Sequence, residues 1–130
     1  MKFKSLAASI GLLSATVFTT PVLAGNGATL QIFVSKADQK LTVYEGDQIV
    51  ATSKVSTGKA GHTTPSGVFS ILEKRKYHES NLYSNAPMPW MQRITWSGVA
   101  LHESNSVPNY PASHGCVRLP AAFAKKLFSM

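Results

Sequence analysis

The sequence predicts a mainly β domain with a long lid-like loop and a short C-terminal helix. Three observations predict it. Apolar Leu30, Ile32 and Val34 alternate with other side chains, the two-residue period of a half-buried strand. Turn chemistry then recurs at short intervals, at Asp38-Gln39, Glu45-Gly46-Asp47 and Thr64-Pro65-Ser66-Gly67. Near the end of the chain, Phe123, Ala124, Leu127 and Phe128 fall on one helical face.

The elements follow in chain order. Lys2 and Lys4 precede an apolar run from Leu6 to Phe18, and Val22-Leu23-Ala24 follows Pro21. That is the pattern of a secretory signal peptide over residues 1–24, with cleavage expected after Ala24. The run is shorter than the ~20 residues a bilayer requires, so a cleaved signal is expected and not a membrane anchor. No cysteine follows the cleavage point for lipid attachment. Removing 24 of the 130 residues leaves 106, the size of one domain spanning 25–130.

Strands are expected at Leu30 to Val34, Leu41 to Tyr44, Ile49 to Val55 and Val68 to Leu72. Residues 73–92 are polar and then rich in Pro, Met and aromatics. Pro87 and Pro89 exclude a helix interior there, and a loop this long in a small domain suits a lid or a binding wall. Tyr83, Met88, Trp90 and Met91 would form that lid, or pack as core. Arg93 to Trp96, Gly98 to Leu101 and Gly115 to Leu119 return to strand composition. Pro120 is suited to the first turn of the closing helix.

Composition narrows the function classes. The chain has 13 Lys plus Arg against 6 Asp plus Glu, a net charge of +7. Loss of Lys2 and Lys4 with the signal lowers this to +5. The basic residues are scattered, without interleaved aromatics, so nucleic acid is not the expected partner. An anionic cell envelope fits the charge, as does an ordinary solvated surface. One cysteine excludes an internal disulfide and multi-cysteine zinc modules.

That cysteine, Cys116, lies in Ser113-His114-Gly115-Cys116-Val117-Arg118. A thiol attacks only as thiolate, so a nucleophilic cysteine requires a base or positive charge nearby. His114 and His102 are the candidates, and His102 closes the apolar strand Gly98 to Leu101. Gly115 permits close backbone approach, so the N–H groups of Gly115 and Cys116 could form an oxyanion hole. A buried structural cysteine beside ordinary histidines is the plain alternative. His62 and His78 sit in polar loop surroundings and are expected to be exposed.

The Ser-His-Gly-Cys-Val-Arg run, preceded by Leu101-His102, resembles the signature of the L,D-transpeptidase (YkuD-like) catalytic domain family. Val55-Ser56-Thr57-Gly58 and Thr64-Pro65-Ser66-Gly67-Val68-Phe69 resemble that family's upstream segments, in the same order. The resemblance runs from about Leu30 to Phe128 and implies a β-sandwich with a lid loop. It also implies a bacterial cell-wall enzyme acting on peptidoglycan stem peptides, located in the periplasm or at the wall, without stable membrane insertion. By that resemblance Cys116 is the nucleophile, His102 the general base and His114 a residue shaping the site. The implied reaction joins a tetrapeptide donor to a diamino-acid acceptor in a 3→3 cross-link through a cysteine acyl-enzyme. Arg118 would meet a stem carboxylate or brace the loop; Ser113 would bond within the site or stabilise its loop.

Three departures qualify the resemblance. Ten residues separate His102 from Ser113, fewer than is usual for the family. Glu103 follows His102 where a glycine or small hydroxyl residue is common. Glutamate suits that position if the base is oriented through a backbone carbonyl, and not if a side chain is required. Related domains usually continue beyond the position of Met130, so the domain is expected to lack a last strand. A hydrolase acting on the same stems, an inactive envelope-binding homologue, and a zinc site at Cys116, His102 and His114 are the alternative functions. Intact mass of the secreted protein tests the leader: loss of residues 1–24 is expected, and an uncleaved secreted chain would contradict it.

Overall fold

The computed structural model describes residues 29–130, and Gly11 ahead of them. The expected signal segment, Gly11 apart, lies outside the described residues. Strands β1 (Leu30–Ser35), β2 (Lys40–Glu45) and β3 (Gln48–Lys54) form an antiparallel meander in the order β1-β2-β3. Strands β4 (Glu73–Arg75), β5 (Met91–Arg93), β6 (Ala100–Glu103) and β7 (Val117–Leu119) form a second sheet in that order. The β4-β5 and β5-β6 pairs are antiparallel and the β6-β7 pair is parallel. Helix α1 (Ala121–Ser129) closes the chain and packs on β6. The mainly β class with a short terminal helix is therefore the observed one.

Strand alternation builds the main core. Leu41 and Val43 of β2 point inward and are fully buried, with Ala51 of β3 and Val55 beyond it. They meet Leu101, Val117 and Leu119 from the second sheet and Ala124 and Leu127 from α1. Full burial of a side chain such as Leu41 contributes roughly 2 kcal/mol. Leu30, Ile32 and Val34 border this core, half-buried, as their alternation predicts. Met88, Met91 and Ala100 form a second, smaller cluster, and Cys116 packs against it.

Several boundaries differ from the sequence expectation. Residues Val68 to Leu72 form no strand: Val68 is fully exposed and Phe69, Ile71 and Leu72 are largely so. Their β-forming composition finds no neighbouring strand until Leu72, whose N–H donates to the Arg93 carbonyl at 2.7 Å. The ladder then continues as β4, inside the segment expected to be loop. Residues 91 and 92 of that segment also pair, in β5 with Arg93, so the loop proper is shorter and folds back on itself. Within it Met88 N–H bonds the His78 carbonyl at 2.7 Å and Ser80 N–H the Ala86 carbonyl at 3.0 Å. Pro120 stands one position ahead of the helix, with φ −58° and ψ 145°, and its carbonyl accepts from Ala124 N–H.

The two sheets are joined by a short seam after β3. Ser56 and Arg118 exchange backbone hydrogen bonds of 2.9 and 3.1 Å, and Gly58 bridges to Ser113. Polar side chains line the seam, and each is satisfied. Ser56 Oγ donates to the Tyr110 carbonyl and accepts from Ala112 N–H. Gln39 accepts from Thr57 N–H at 2.9 Å and donates through Nε2 to Thr57 Oγ1 and the Lys36 carbonyl. Truncating Gln39 strips buried partners of their bonds. Gln39→Ala is expected to lose about 2 kcal/mol in urea unfolding, against less than ~0.5 kcal/mol for exposed Gln48→Ala. Equal small losses would contradict the seam's contribution.

Candidate active site

The parallel pairing of β6 and β7 sets the site. Its register places His102 opposite Arg118, and Cys116 lies just before β7 begins. One cleft is lined on this side by His102, Ser113, His114, Cys116 and Arg118. The folded loop supplies the other wall, including Tyr83, Pro87 and Met88. A wider concavity over Lys40 and Lys54 is lined by no residue of this sequence motif and by no cysteine or histidine.

His102 is buried, and its Nδ1 lies 2.6 Å from the Glu103 carbonyl oxygen. A carbonyl only accepts, so Nδ1 carries the proton and Nε2 is left as the basic nitrogen. The orientation therefore comes from the backbone of residue 103, and a glutamate side chain there is compatible with it. Burial holds the His102 pKa below the ordinary imidazole value; the Glu103 bond opposes the shift, and the Arg118 charge reinforces it. His102 is thus neutral at pH 7.

Cys116 is half-buried, and its Sγ lies 3.9 Å from the Gly98 carbonyl. Burial pushes the thiol pKa up, while the Ala100 backbone bond and the Arg118 charge pull the other way. Burial prevails, so Cys116 rests as a neutral thiol in the cleft that a neutral His102 also lines. Among the described residues no carboxylate pairs with Arg118, leaving its charge available to the cleft. His114 is exposed, with its pKa lowered by partial desolvation and by Lys59, His62 and Arg118.

The remaining expected site residues divide by position. Tyr83 stacks on His114, with ring centroids 4.8 Å apart, and His62 meets the same ring edge-on at 4.9 Å. Met88 lines the cleft, whereas Met91 is buried behind it. Trp90 turns away from the cleft and packs edge-on against Phe128, with Lys125 over its ring. Its expected place in the lid is corrected accordingly: Trp90 takes the alternative the sequence also allowed and packs against the main core. Ser113 Oγ accepts from Gly115 N–H at 3.1 Å and donates to the Cys116 carbonyl at 2.6 Å. It stabilises the loop. The same bond commits Gly115 N–H inward, which corrects its expected use as an oxyanion donor and leaves the Cys116 N–H of that pair.

Thr64, which the sequence marks as part of a turn and of a family-like segment but not as a site residue, also contributes. Its buried Oγ1 accepts from Gly58 N–H at 2.8 Å and donates to the Gly115 carbonyl at 2.7 Å. Its partners lie 6 and 51 positions away, so no local pattern announces the contact. Among the described residues no three His, Cys, Asp or Glu side chains converge as a metal-binding group.

The chain matches the L,D-transpeptidase catalytic domain family over residues 30–130. Among solved structures it is similar to an L,D-transpeptidase from Mycobacterium smegmatis, at 22% identity and a TM-score of 0.71. That similarity covers 78% of this chain and 54% of the other. An L,D-transpeptidase from Stackebrandtia nassauensis is 33% identical with a TM-score of 0.65, covering 71% of this chain and 45% of that one. A cysteine-to-serine mutant of the Enterococcus faecium L,D-transpeptidase is 26% identical, with a TM-score of 0.68 and coverages of 78% and 45%. The chain thus spans about half the length of these solved structures. No curated protein matches it.

A neutral thiol has a distinct chemical signature. Alkylation of Cys116 by iodoacetamide should rise about tenfold per pH unit from pH 7 to 9, because the reactive thiolate forms only above the ordinary thiol range. A plateau already reached below pH 7 would contradict the neutral pair and indicate a preformed thiolate–imidazolium.

Proposed function

Because this chain belongs to the L,D-transpeptidase catalytic domain family, we propose that it cross-links peptidoglycan stem peptides outside the cytoplasm through a Cys116 acyl-enzyme. The observation that supports this most is the placement of Cys116, a tautomer-fixed His102 and unpaired Arg118 in one cleft. The apolar leader and net positive charge fit export to a periplasmic or wall location with an anionic surface. Among the described residues no helix is long and apolar enough to cross a membrane.

In the proposed reaction, His102 Nε2 takes the Cys116 thiol proton as Sγ attacks a carbonyl carbon of the donor tetrapeptide stem. This carbonyl links the third residue to the terminal D-alanine. The oxygen gains negative charge in the tetrahedral intermediate, and the Cys116 N–H is placed to stabilise it. His102 returns the proton to the departing D-alanine nitrogen, and a thioester remains. The side-chain amine of an acceptor stem's third residue then attacks the thioester. His102 accepts the amine's proton and returns it to sulfur as the thiol leaves, giving the 3→3 amide. Covalent catalysis thereby divides one amide exchange into two steps without a cofactor.

The cleft's cation and aromatic wall suit the donor. Arg118 can pair with a stem carboxylate, a charge-assisted bond. Tyr83 and Met88 supply the opposite wall, and His114 holds Tyr83 by stacking.

Intact mass after incubation with a tetrapeptide-stem dimer or a carbapenem tests the assignment. An acyl adduct is expected on the wild-type protein and its loss in Cys116→Ala; a folded wild type without adduct would overturn the proposal. His102→Ala should slow acylation by at least ~100-fold, and an unchanged rate would remove its role as base. Product analysis should show cross-linked stems; stems shortened by water alone would assign hydrolysis instead.

A further inference from the structure

The loop that presents Cys116 is bound from behind at nearly every backbone group. Ser113 Oγ holds the Gly115 N–H and the Cys116 carbonyl. Thr64 Oγ1 holds the Gly115 carbonyl. Arg118, two residues on, uses its own N–H and carbonyl on Ser56, so alternation turns the Cys116 backbone groups away from β6. The Cys116 N–H therefore stands outside the β6-β7 ladder.

The Gly115-Cys116 peptide is trans, as are all peptides of the described residues. In a trans peptide the carbonyl of one residue and the N–H of the next point to opposite sides of the same plane. Whatever fixes the Gly115 carbonyl also fixes the Cys116 N–H. Gly115 itself gives little resistance to rotation of that plane: it sits at φ +128°, in a region glycine enters freely. Local conformational preference leaves the plane's orientation open, and the hydroxyl of Thr64 restricts it.

Thr64 is well anchored for this. Its carbonyl accepts from Lys36 Nζ at 2.9 Å, and its hydroxyl also accepts from Gly58 N–H. Gly58 is packed so closely that an added Cβ would fall 1.9 Å from the His62 carbonyl oxygen. Thr64 is buried and does not line the cleft. It acts through the peptide and does not touch substrate.

We propose that Thr64 is a positioning residue for oxyanion stabilisation: its hydroxyl, bound to the Gly115 carbonyl, aims the Cys116 N–H at the substrate oxygen. The inference rests on the Cys116 acyl-enzyme reading above. It separates two reactions of one thiol. Acylation develops charge on a carbonyl oxygen and needs the aimed N–H, whereas alkylation by iodoacetamide develops none.

The test compares these reactions in purified wild type, Thr64→Val and Thr64→Ser. Thr64→Val removes the hydroxyl with little change of volume. Meropenem acylation, followed by intact mass, should slow by about 100-fold in Thr64→Val, with iodoacetamide alkylation within about twofold of wild type. Thr64→Ser keeps the hydroxyl and should restore most of the acylation rate. Equal acylation by Thr64→Val and wild type would overturn the proposal, as would a parallel fall in both reactions or a failure of serine to rescue. If Thr64→Val does not fold, Thr64→Ala is measured against Thr64→Ser by the same ratio of rates. A wild type that is alkylated but never acylated would instead overturn the acyl-enzyme reading, and this inference with it.

Discussion

The exchange of backbone hydrogen bonds between Ser56 and Arg118 is the joint on which the rest of the structure depends. β3 ends at Lys54, and the chain running on from it is joined to β7 by this pair and to the loop ahead of β7 by the Gly58–Ser113 bridge. The joint brings the meander's core residues Leu41, Val43 and Val55 against Val117 and Leu119. It also fixes the start of β7, and hence where Cys116 stands relative to His102. The cost of burying so many polar groups is offset because Gln39, Ser56, Thr57 and Thr64 all find partners. A buried polar seam with every member satisfied favours one arrangement of the two sheets over slipped ones.

The same burial sets the chemistry of the site. Two opposing effects act on Cys116: desolvation, which favours the thiol, and the Arg118 charge with the Ala100 backbone bond, which favours the thiolate. Desolvation is the largest of them. His102 responds in the same sense, since burial disfavours its cation and Arg118 adds to that. Neutral forms of both groups are therefore the resting state. A neutral, half-buried thiol is also less open to oxidation than a thiolate.

Much of this was legible in the sequence, for reasons that differ by element. β1 announces itself by alternation, and β2 and β3 by the turns at Gln39 and Gly46 that precede them, both at positive φ. The helix shows its buried face at Ala124 and Leu127. β4 was not legible because Glu73-Lys74-Arg75 has no apolar member; it is a charged edge strand, and edge strands are often charged. Val68 to Leu72 misled in the opposite direction, with strand-forming residues that have no strand to join. In the site, Cys116 and His102 are marked by their local motif and adjacent strand. Thr64 and Gln39 are not, because their hydroxyl and amide meet partners distant in the chain. Trp90 was misplaced because composition does not tell whether a loop aromatic meets the cleft or the helix.

The central claim is that Cys116 rests as a thiol and loses its proton to His102 during attack. The solvent isotope effect on single-turnover acylation addresses it most directly. A proton in flight makes acylation clearly slower in deuterium oxide than in water, at matched positions on the pH profile, and that is the predicted result. An equal rate in the two solvents, as a preformed thiolate would give, would contradict the account.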